Sequence, residues 1–438
     1  QAIVVQTRTG TGGKPHHAQQ MSGDASGQIR LPIAIATSAL TSAGVTSLLF
    51  VRYLRQGQVA RLLSADGNDA TLRELIAHCP ALQRPYWPHA FQLHWLVSSM
   101  FAAVKAAPIF KPRDTVEEKL VLKDGGTISL DWWQGLATEE ATARPVVLLL
   151  PGLGNSSRSA YIREAMARFD AVGFQAVAMN YRGVEHLELT SAKFASADSR
   201  HDFPEVFAAI SRRIPGAAIY AIGYSMGGTM LMGHLGEAGP SSPIRAAVAV
   251  SAPLAYEAHG RTLLKNPALS FLMTLPLKKW FLSKRQQVYQ LTGITARTIA
   301  LATSLHGMLS MMGPIQGFGT PEDYFRVNDP EPLLPNVAKP TLLISASDDP
   351  IIDPVPYNSI QKNPNLVMAE TLGGSHLGWA GAMRGWGPTV LSGSWADSLA
   401  VQFLVFQADR VNQNLQSGGV HKPSAAAAQD MRFGRSRL

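Results

Sequence analysis

Residues 223 to 227 read Gly-Tyr-Ser-Met-Gly, a serine held between two glycines. Ahead of them Ala217-Ala218-Ile219-Tyr220-Ala221-Ile222 reads as a short apolar strand, and Gly228-Thr229-Met230-Leu231-Met232-Gly233-His234-Leu235 behind them carries a helical pattern. The pentapeptide alone is a weak signal, since any Gly/Ser turn mimics it. The strand and the helix supply the context that a nucleophile elbow requires. Glycine lets the flanking backbone pass closely, so Ser225 Oγ stands clear of the sheet, and the free N–H groups of the helix start face a developing oxyanion. The chemistry this predicts is acyl transfer through a covalent serine intermediate.

Such a serine needs an acid and a base, in the chain order serine, acid, histidine, each on a loop after a later strand. Pro340-Thr341-Leu342-Leu343-Ile344-Ser345-Ala346 reads as a buried strand that ends in Ser347-Asp348-Asp349-Pro350-Ile351-Ile352. Asp349, directly before Pro350-Ile351-Ile352, fits the acid's loop better, with Asp348 in reserve. The competing reading is that both aspartates cap a turn before the proline. The strand Leu366 to Thr371 is followed by Leu372-Gly373-Gly374-Ser375-His376-Leu377-Gly378-Trp379. A lone histidine is more often structural than catalytic, but the other histidine after the aspartates, His421, sits in a polar tail, so His376 is the base expected here. The strand Pro145 to Leu150 runs into Pro151-Gly152-Leu153-Gly154-Asn155-Ser156-Ser157. The backbone N–H groups of Leu153 and Met226 are the expected oxyanion donors. Pro151 lacks an N–H, but it lies two residues from the donor that matters.

The elements that must hold these residues alternate. A hairpin around Asp124-Gly125-Gly126 joins Glu117 to Leu122 with Thr127 to Trp133. Strands then follow at Val146 to Leu150, Phe174 to Asn180, Ile219 to Gly223, Ala246 to Ser251, Thr341 to Ala346 and Leu366 to Thr371, with helices between. That alternation predicts an α/β fold with a mainly parallel sheet covered on both faces. It stops between Pro253 and Pro340, where a Leu- and Met-rich helical stretch with Lys278, Lys279, Lys284 and Arg285 predicts a cap over about 254–335, against the plainer reading of packing helices that never meet substrate. Ala60 to Phe110 reads as helical and aromatic, with a break at Pro85-Tyr86-Trp87-Pro88.

A chain of 438 residues with 46% hydrophobic content can bury one full domain, placed at 60–410. Cys79 is the one cysteine, so no internal disulfide forms and no thiolate metal site is built. There is no CxxC, HExxH or phosphate loop, and no metal or cofactor is expected; Gly10-Thr11-Gly12-Gly13-Lys14 lacks the spacing and the preceding strand of a nucleotide loop. The net charge of +8 lies in the arms: Gln1 to Arg61 holds six Lys/Arg against one Asp, and Val411 to Leu438 four against one. The domain between is neutral on balance, which argues against a nucleic-acid surface and suits an anionic membrane or plain solubility. Leu31 to Val51 is uncharged over 21 residues. That length predicts a single-pass or interfacial anchor within 31–55, though its Ser, Thr, Ala and Gly content lowers the insertion energy. Arg52, Arg55 and Arg61 after it outnumber Arg30 before it, which places the catalytic domain on a cytoplasmic or stromal face, with the cap cations resting on anionic headgroups. Residues 1–30 are expected to form a mobile basic arm, which also fits a transit leader, and 411–438 a disordered tail.

From about Cys79 to Gln407 the chain resembles the AB-hydrolase-4 family, the YheT-like and embryogenesis-associated branch of the α/β-hydrolases, which includes animal phospholipases and monoacylglycerol lipases. The resemblance is carried by Cys79-Pro80-Ala81-Leu82, by Asp124-Gly125-Gly126-Thr127-Ile128-Ser129-Leu130-Asp131-Trp132, by Pro151-Gly152-Leu153-Gly154, by Asn180-Tyr181-Arg182-Gly183, by the elbow, by Gly317-Phe318 with Asp323-Tyr324, and by Asp348-Asp349-Pro350. Two stretches depart from it: Gln92-Leu93-His94-Trp95-Leu96 stands where the family has Gly-His-Leu-Gln-Thr, and Leu305-His306 where it has Phe-Asp in the cap. The resemblance implies an α/β-hydrolase fold with a helical cap and serine-dependent hydrolysis of lipid-like carboxylic esters. An acyltransferase on the same residues, or a non-catalytic membrane-bound binding protein on this scaffold, are the alternatives.

Overall fold

The computed structural model describes residues 59–86, 115–133, 144–184, 186–379 and 394–417. In chain order the strands and α-helices are β1 Arg61–Leu63, α1 Asp69–His78, β2 Thr115–Val121, β3 Thr127–Trp133, β4 Val146–Leu150, α2 Ala160–Ala171, β5 Gln175–Asn180, α3 Phe203–Arg213, β6 Ile219–Tyr224, α4 Met226–Ala238 and β7 Ile244–Val250. A helical run follows: α5 Tyr256–Lys265, α6 Pro267–Ser283, α7 Arg285–Thr292, α8 Ala296–Leu301, α9 Leu305–Gln316 and α10 Pro321–Val327. The chain then returns to the sheet through β8 Thr341–Ala346, α11 Tyr357–Gln361, β9 Leu366–Thr371 and α12 Trp395–Ser417.

Among the described residues the strands form one sheet in the order β1-β9-β8-β7-β6-β4-β5-β3-β2. Pairing is parallel from β9 through β5 and antiparallel only at the margins, where β1 meets β9 and the β2–β3 hairpin meets β5. A strand buried on both faces must be apolar throughout, and β4 is Val-Val-Leu-Leu-Leu with every residue buried. Its residues alternate between two cores: Val146, Leu148 and Leu150 face one layer with Val177 and Met179, while Val147 and Leu149 face the other with Ala176 and Ala178. β4 lies between β5 and β6, so the chain leaves it on one side and returns on the other. Loops diverge at such a switch point, and a crevice opens beyond the carboxyl ends of the two central strands. Leu150 at the end of β4 pairs with Gly223 near the end of β6, which sets the two following loops side by side.

The helical insertion falls where the alternation stops, and its Phe281, Val288, Ile299, Met308 and Met312 form a small core with Phe194 of the loop after β5. Two boundaries differ from the sequence reading. Residues 61–63, within the stretch expected to be helical, form edge strand β1, which is three residues long and pairs Arg61 with Glu370. A strand that short carries no readable period; β9 recruits it. Residues 411–417, expected to open the tail, are helical, because α12 continues to Ser417. Phe403, Leu404 and Phe406 seat this helix on the sheet. The N-terminal arm, the segment Leu31 to Val51, the stretch Gln92 to Leu96 and His421 lie outside the described residues. Among the described residues no helix is long and apolar enough to cross a membrane.

Candidate active site

Ser225 occupies the turn between β6 and α4 with φ 51° and ψ −121°. A non-glycine residue at positive φ is strained and persists only where its surroundings over-determine it. Here the Ser225 N–H donates to Val250 O at 2.8 Å, and Ser225 O accepts from Gly228 and Thr229 of α4. The flanking glycines are required by approach. A Cβ on Gly227 would lie 2.2 Å from Leu150 O, and one on Gly223 would lie 2.5 Å from Gly227 O.

His376 and the two aspartates come from the loops after β9 and β8. Ser225 Oγ lies 2.8 Å from His376 Nε2, and His376 Nδ1 lies 2.9 Å from Asp349 Oδ2. A carboxylate only accepts, so Nδ1 carries its proton toward Asp349 and Nε2 is left to receive that of Ser225. The side chain of Asp349 is fully buried, and its other oxygen accepts from the Ile351 N–H at 2.9 Å. Asp348 points elsewhere: its Oδ1 accepts from the Ser375 N–H at 2.7 Å, which pins the residue before His376. Ser375 and Leu377 on either side of the histidine both have positive φ, and the Leu377 N–H donates to Ser251 Oγ at 3.3 Å.

The loop after β4 closes over Ser225 so tightly that a Cβ on Gly152 would stand 3.3 Å from Ser225 Cβ. Two tyrosines hold it from behind. Tyr181 O–H donates to Pro151 O at 2.8 Å, and the Gly152 N–H donates to Tyr161 Oη at 3.0 Å. Further along, the Ser157 N–H donates to Asn180 Oδ1 at 2.8 Å, and Ser157 O–H donates to Asp131 Oδ2 at 2.5 Å. Among the described residues the N–H groups of Leu153 and Met226 have no hydrogen-bond acceptor. Both residues line the cavity beside Ser225.

That cavity measures about 90 Å³ and lies between Ser225 and the helical insertion. Its walls are mainly Leu, Met and Phe, with Met273, Leu277 and Phe281 of α6 and Met308 and Met312 of α9 opposite the serine. Side chains of the insertion therefore line the cavity beside Ser225. Leu305, one of the two cap departures, is buried in the cavity wall, while His306 is exposed.

Sequence reasoning missed His259, which also lines the cavity. It is buried under Tyr256 and Phe325, with Nδ1 3.4 Å from Asp353 O, and burial, reinforced by nearby His376, pulls its pKa down to about 4. Its signal was faint: one histidine in the helical pattern of the insertion. Cys79 is buried, with its thiol pushed up to about 12, and it is no nucleophile. Among the described residues no cluster of three His, Cys, Asp or Glu could hold a metal ion.

Residues 145–292 match the alpha/beta hydrolase fold family. The embryogenesis-associated protein EMB8 of Picea glauca is 29% identical over 84% of this chain and 84% of its own. The phospholipase ABHD3 of Bos taurus is 28% identical over 72% of this chain and 77% of its own. A solved brefeldin A esterase, a bacterial homologue of human hormone-sensitive lipase, superposes with a TM-score of 0.45 at 16% identity, covering 81% of this chain and 90% of that one. The fold is that of the α/β-hydrolase class. Within that class the chain is similar, at 25–29% identity, to embryogenesis-associated and lipase proteins.

Proposed function

We propose that this protein hydrolyses the carboxylic esters of lipids through an acyl-enzyme on Ser225. The observation that carries the reading is the unbroken line Asp349–His376–Ser225, 2.9 and 2.8 Å per link, ending in a mainly apolar cavity between two unpaired backbone N–H groups. In the first step Oγ of Ser225 attacks the ester carbonyl as His376 Nε2 takes its proton, and the oxyanion rests on the N–H groups of Leu153 and Met226. The tetrahedral intermediate collapses, the C–O bond to the alcohol breaks, and His376 returns the proton to the leaving oxygen. Water then attacks the acyl-enzyme with His376 again as base, releasing the acid and restoring Ser225. Asp349 keeps the imidazole in the productive tautomer and stabilises its charged form.

The lipid part of the reading is supported by the lining, since Met273, Leu277, Phe281, Met308 and Met312 offer an acyl chain an apolar bed. It is supported too by relatives named phospholipase and monoacylglycerol lipase. The test is a fluorophosphonate probe followed by turnover of p-nitrophenyl esters of rising chain length. Wild type labels and turns over. Ser225→Ala does not label and loses about 10⁶ in turnover while its Tm stays within a few degrees. Labelling retained in Ser225→Ala would move the nucleophile elsewhere.

A further inference from the structure

From Ala258 to Pro321 the chain runs 64 residues without an aspartate or glutamate and carries seven Lys/Arg. This stretch is most of the cap. Its longest helix, α6, is apolar on two opposite sides. Met273, Leu277 and Phe281 line the cavity above Ser225. Phe271, Leu272 and Leu275, on the other side, are 52%, 43% and 44% exposed. A helix that is apolar all round is ordinarily buried, so the outer side of α6 lacks its cover. On the neighbouring cap helices Tyr289 and Leu301 are exposed as well. The cations are not equivalent. Lys278 Nζ donates to Ala300 O within the cap, and Lys284 Nζ donates to Leu187 O, tying the cap to the loop after β5. Lys279, exposed four residues after Leu275, continues the outer stripe toward solvent.

We propose that the outer face of α6 docks on the surface of an anionic lipid bilayer, with Phe271, Leu272 and Leu275 entering the headgroup boundary and Lys279 meeting lipid phosphates. Two features select a bilayer. A cap segment with seven Lys/Arg and no acid of its own complements an anionic sheet, although Glu188 of the neighbouring loop acts on Lys284, and a helix with exposed Phe and Leu beside Lys has the make-up of an interfacial element. The same helix walls the cavity with Met273, Leu277 and Phe281, so a bilayer seated on its outer face lies one helix away from the cavity beside Ser225. What is delivered there rests on the ester-hydrolase reading; the docking does not.

The test uses the full chain with Leu275→Cys carrying an environment-sensitive dye. Cys79, the one native cysteine, is buried, which directs the label to position 275. With phosphatidylcholine vesicles containing phosphatidylserine the dye emission shifts to the blue; with phosphatidylcholine alone, or at high salt, the shift shrinks. The same measurement in a Ser225→Ala background separates docking from catalysis. In parallel, Phe271→Ser with Leu272→Ser and Leu275→Ser lowers hydrolysis of vesicle-borne ester by about tenfold or more and leaves a short soluble ester within about twofold. An unshifted dye on anionic vesicles overturns the proposal, including the case where the chain co-sediments with them, for binding would then belong to another segment. So does a triple variant that matches wild type on vesicles. Loss of soluble turnover in that variant would mark the stripe as support for the cap's packing, and the dye would then decide alone.

Discussion

Asp348 and Asp349 are chemically identical neighbours with separate tasks. Asp349 is buried against His376, whereas Asp348 holds the Ser375 N–H and so sets the strained turn that carries the histidine. Asp349→Asn should lower kcat on a soluble ester by about 10⁴, because an amide no longer fixes the tautomer. Asp348→Asn should cost less than about 10², the scale of a displaced rather than disabled base. A reversed order in the measured rates would exchange the two roles. His259 makes a different prediction. Its pKa in the fold is about 4 against an ordinary 6.5, so on acidification the unfolded chain takes up this proton first. Its contribution to stability is intact above about pH 6.5 and is lost as pH falls toward 4, by about 3 kcal/mol if this group acts alone. His259→Gln should flatten that part of the Tm against pH curve, and an unchanged slope would assign the acid loss to other groups.

At the scale of the element, the loop after β4 carries one of the proposed oxyanion donors. Pro151 stands where many α/β-hydrolases place a supporting side chain, and in this protein the support comes from Tyr181, whose hydroxyl donates to the Pro151 carbonyl. Tyr181→Phe removes that bond without opening space. It should reduce kcat by about tenfold with little change in KM, since the oxyanion donors act in the transition state. The stability cost should be near 1 kcal/mol, and kcat, KM and Tm measured together check both. Asp131 on β3 and Asn180 on β5 hold the far end of the same loop through Ser157. This gives the Leu-Asp-Trp and Asn-Tyr-Arg-Gly motifs a physical purpose that no spacing along the chain reveals. β1 shows the opposite case: three residues with no period become a strand because β9 offers an open edge.

Across the whole molecule the four residues Asn180 to Gly183 join parts far apart in the chain. Asn180 and Tyr181 reach the loop beside Ser225. Arg182 pairs with Asp124 of the β2–β3 turn and with Asp202 at the start of α3, at 2.8 and 2.6 Å. The Gly183 carbonyl accepts from Trp280 Nε1 of the cap at 2.8 Å. Arg182→Met would leave Asp202 buried and unpaired, at a cost of about 3–5 kcal/mol. A lowered denaturant midpoint with an unchanged slope is the expected result, and a midpoint equal to wild type would show the network to be dispensable.

Ser225, β4, β6 and the helix after the elbow are legible in sequence because each rests on local rules: continuous apolar runs for strands buried on both faces, glycine where backbones collide, helical spacing behind the turn. His376 was legible by chain order and by the shortage of rivals. The choice between Asp348 and Asp349 was open, because adjacent side chains leave a loop in different directions and only the path of the backbone after β8 selects one. The neutral histidine in the cavity wall, the tyrosines behind the Pro151 loop and the two-sided character of α6 were not legible. Each depends on which residues far apart in the chain meet, and burial, a low pKa or an uncovered apolar face arises only from that meeting.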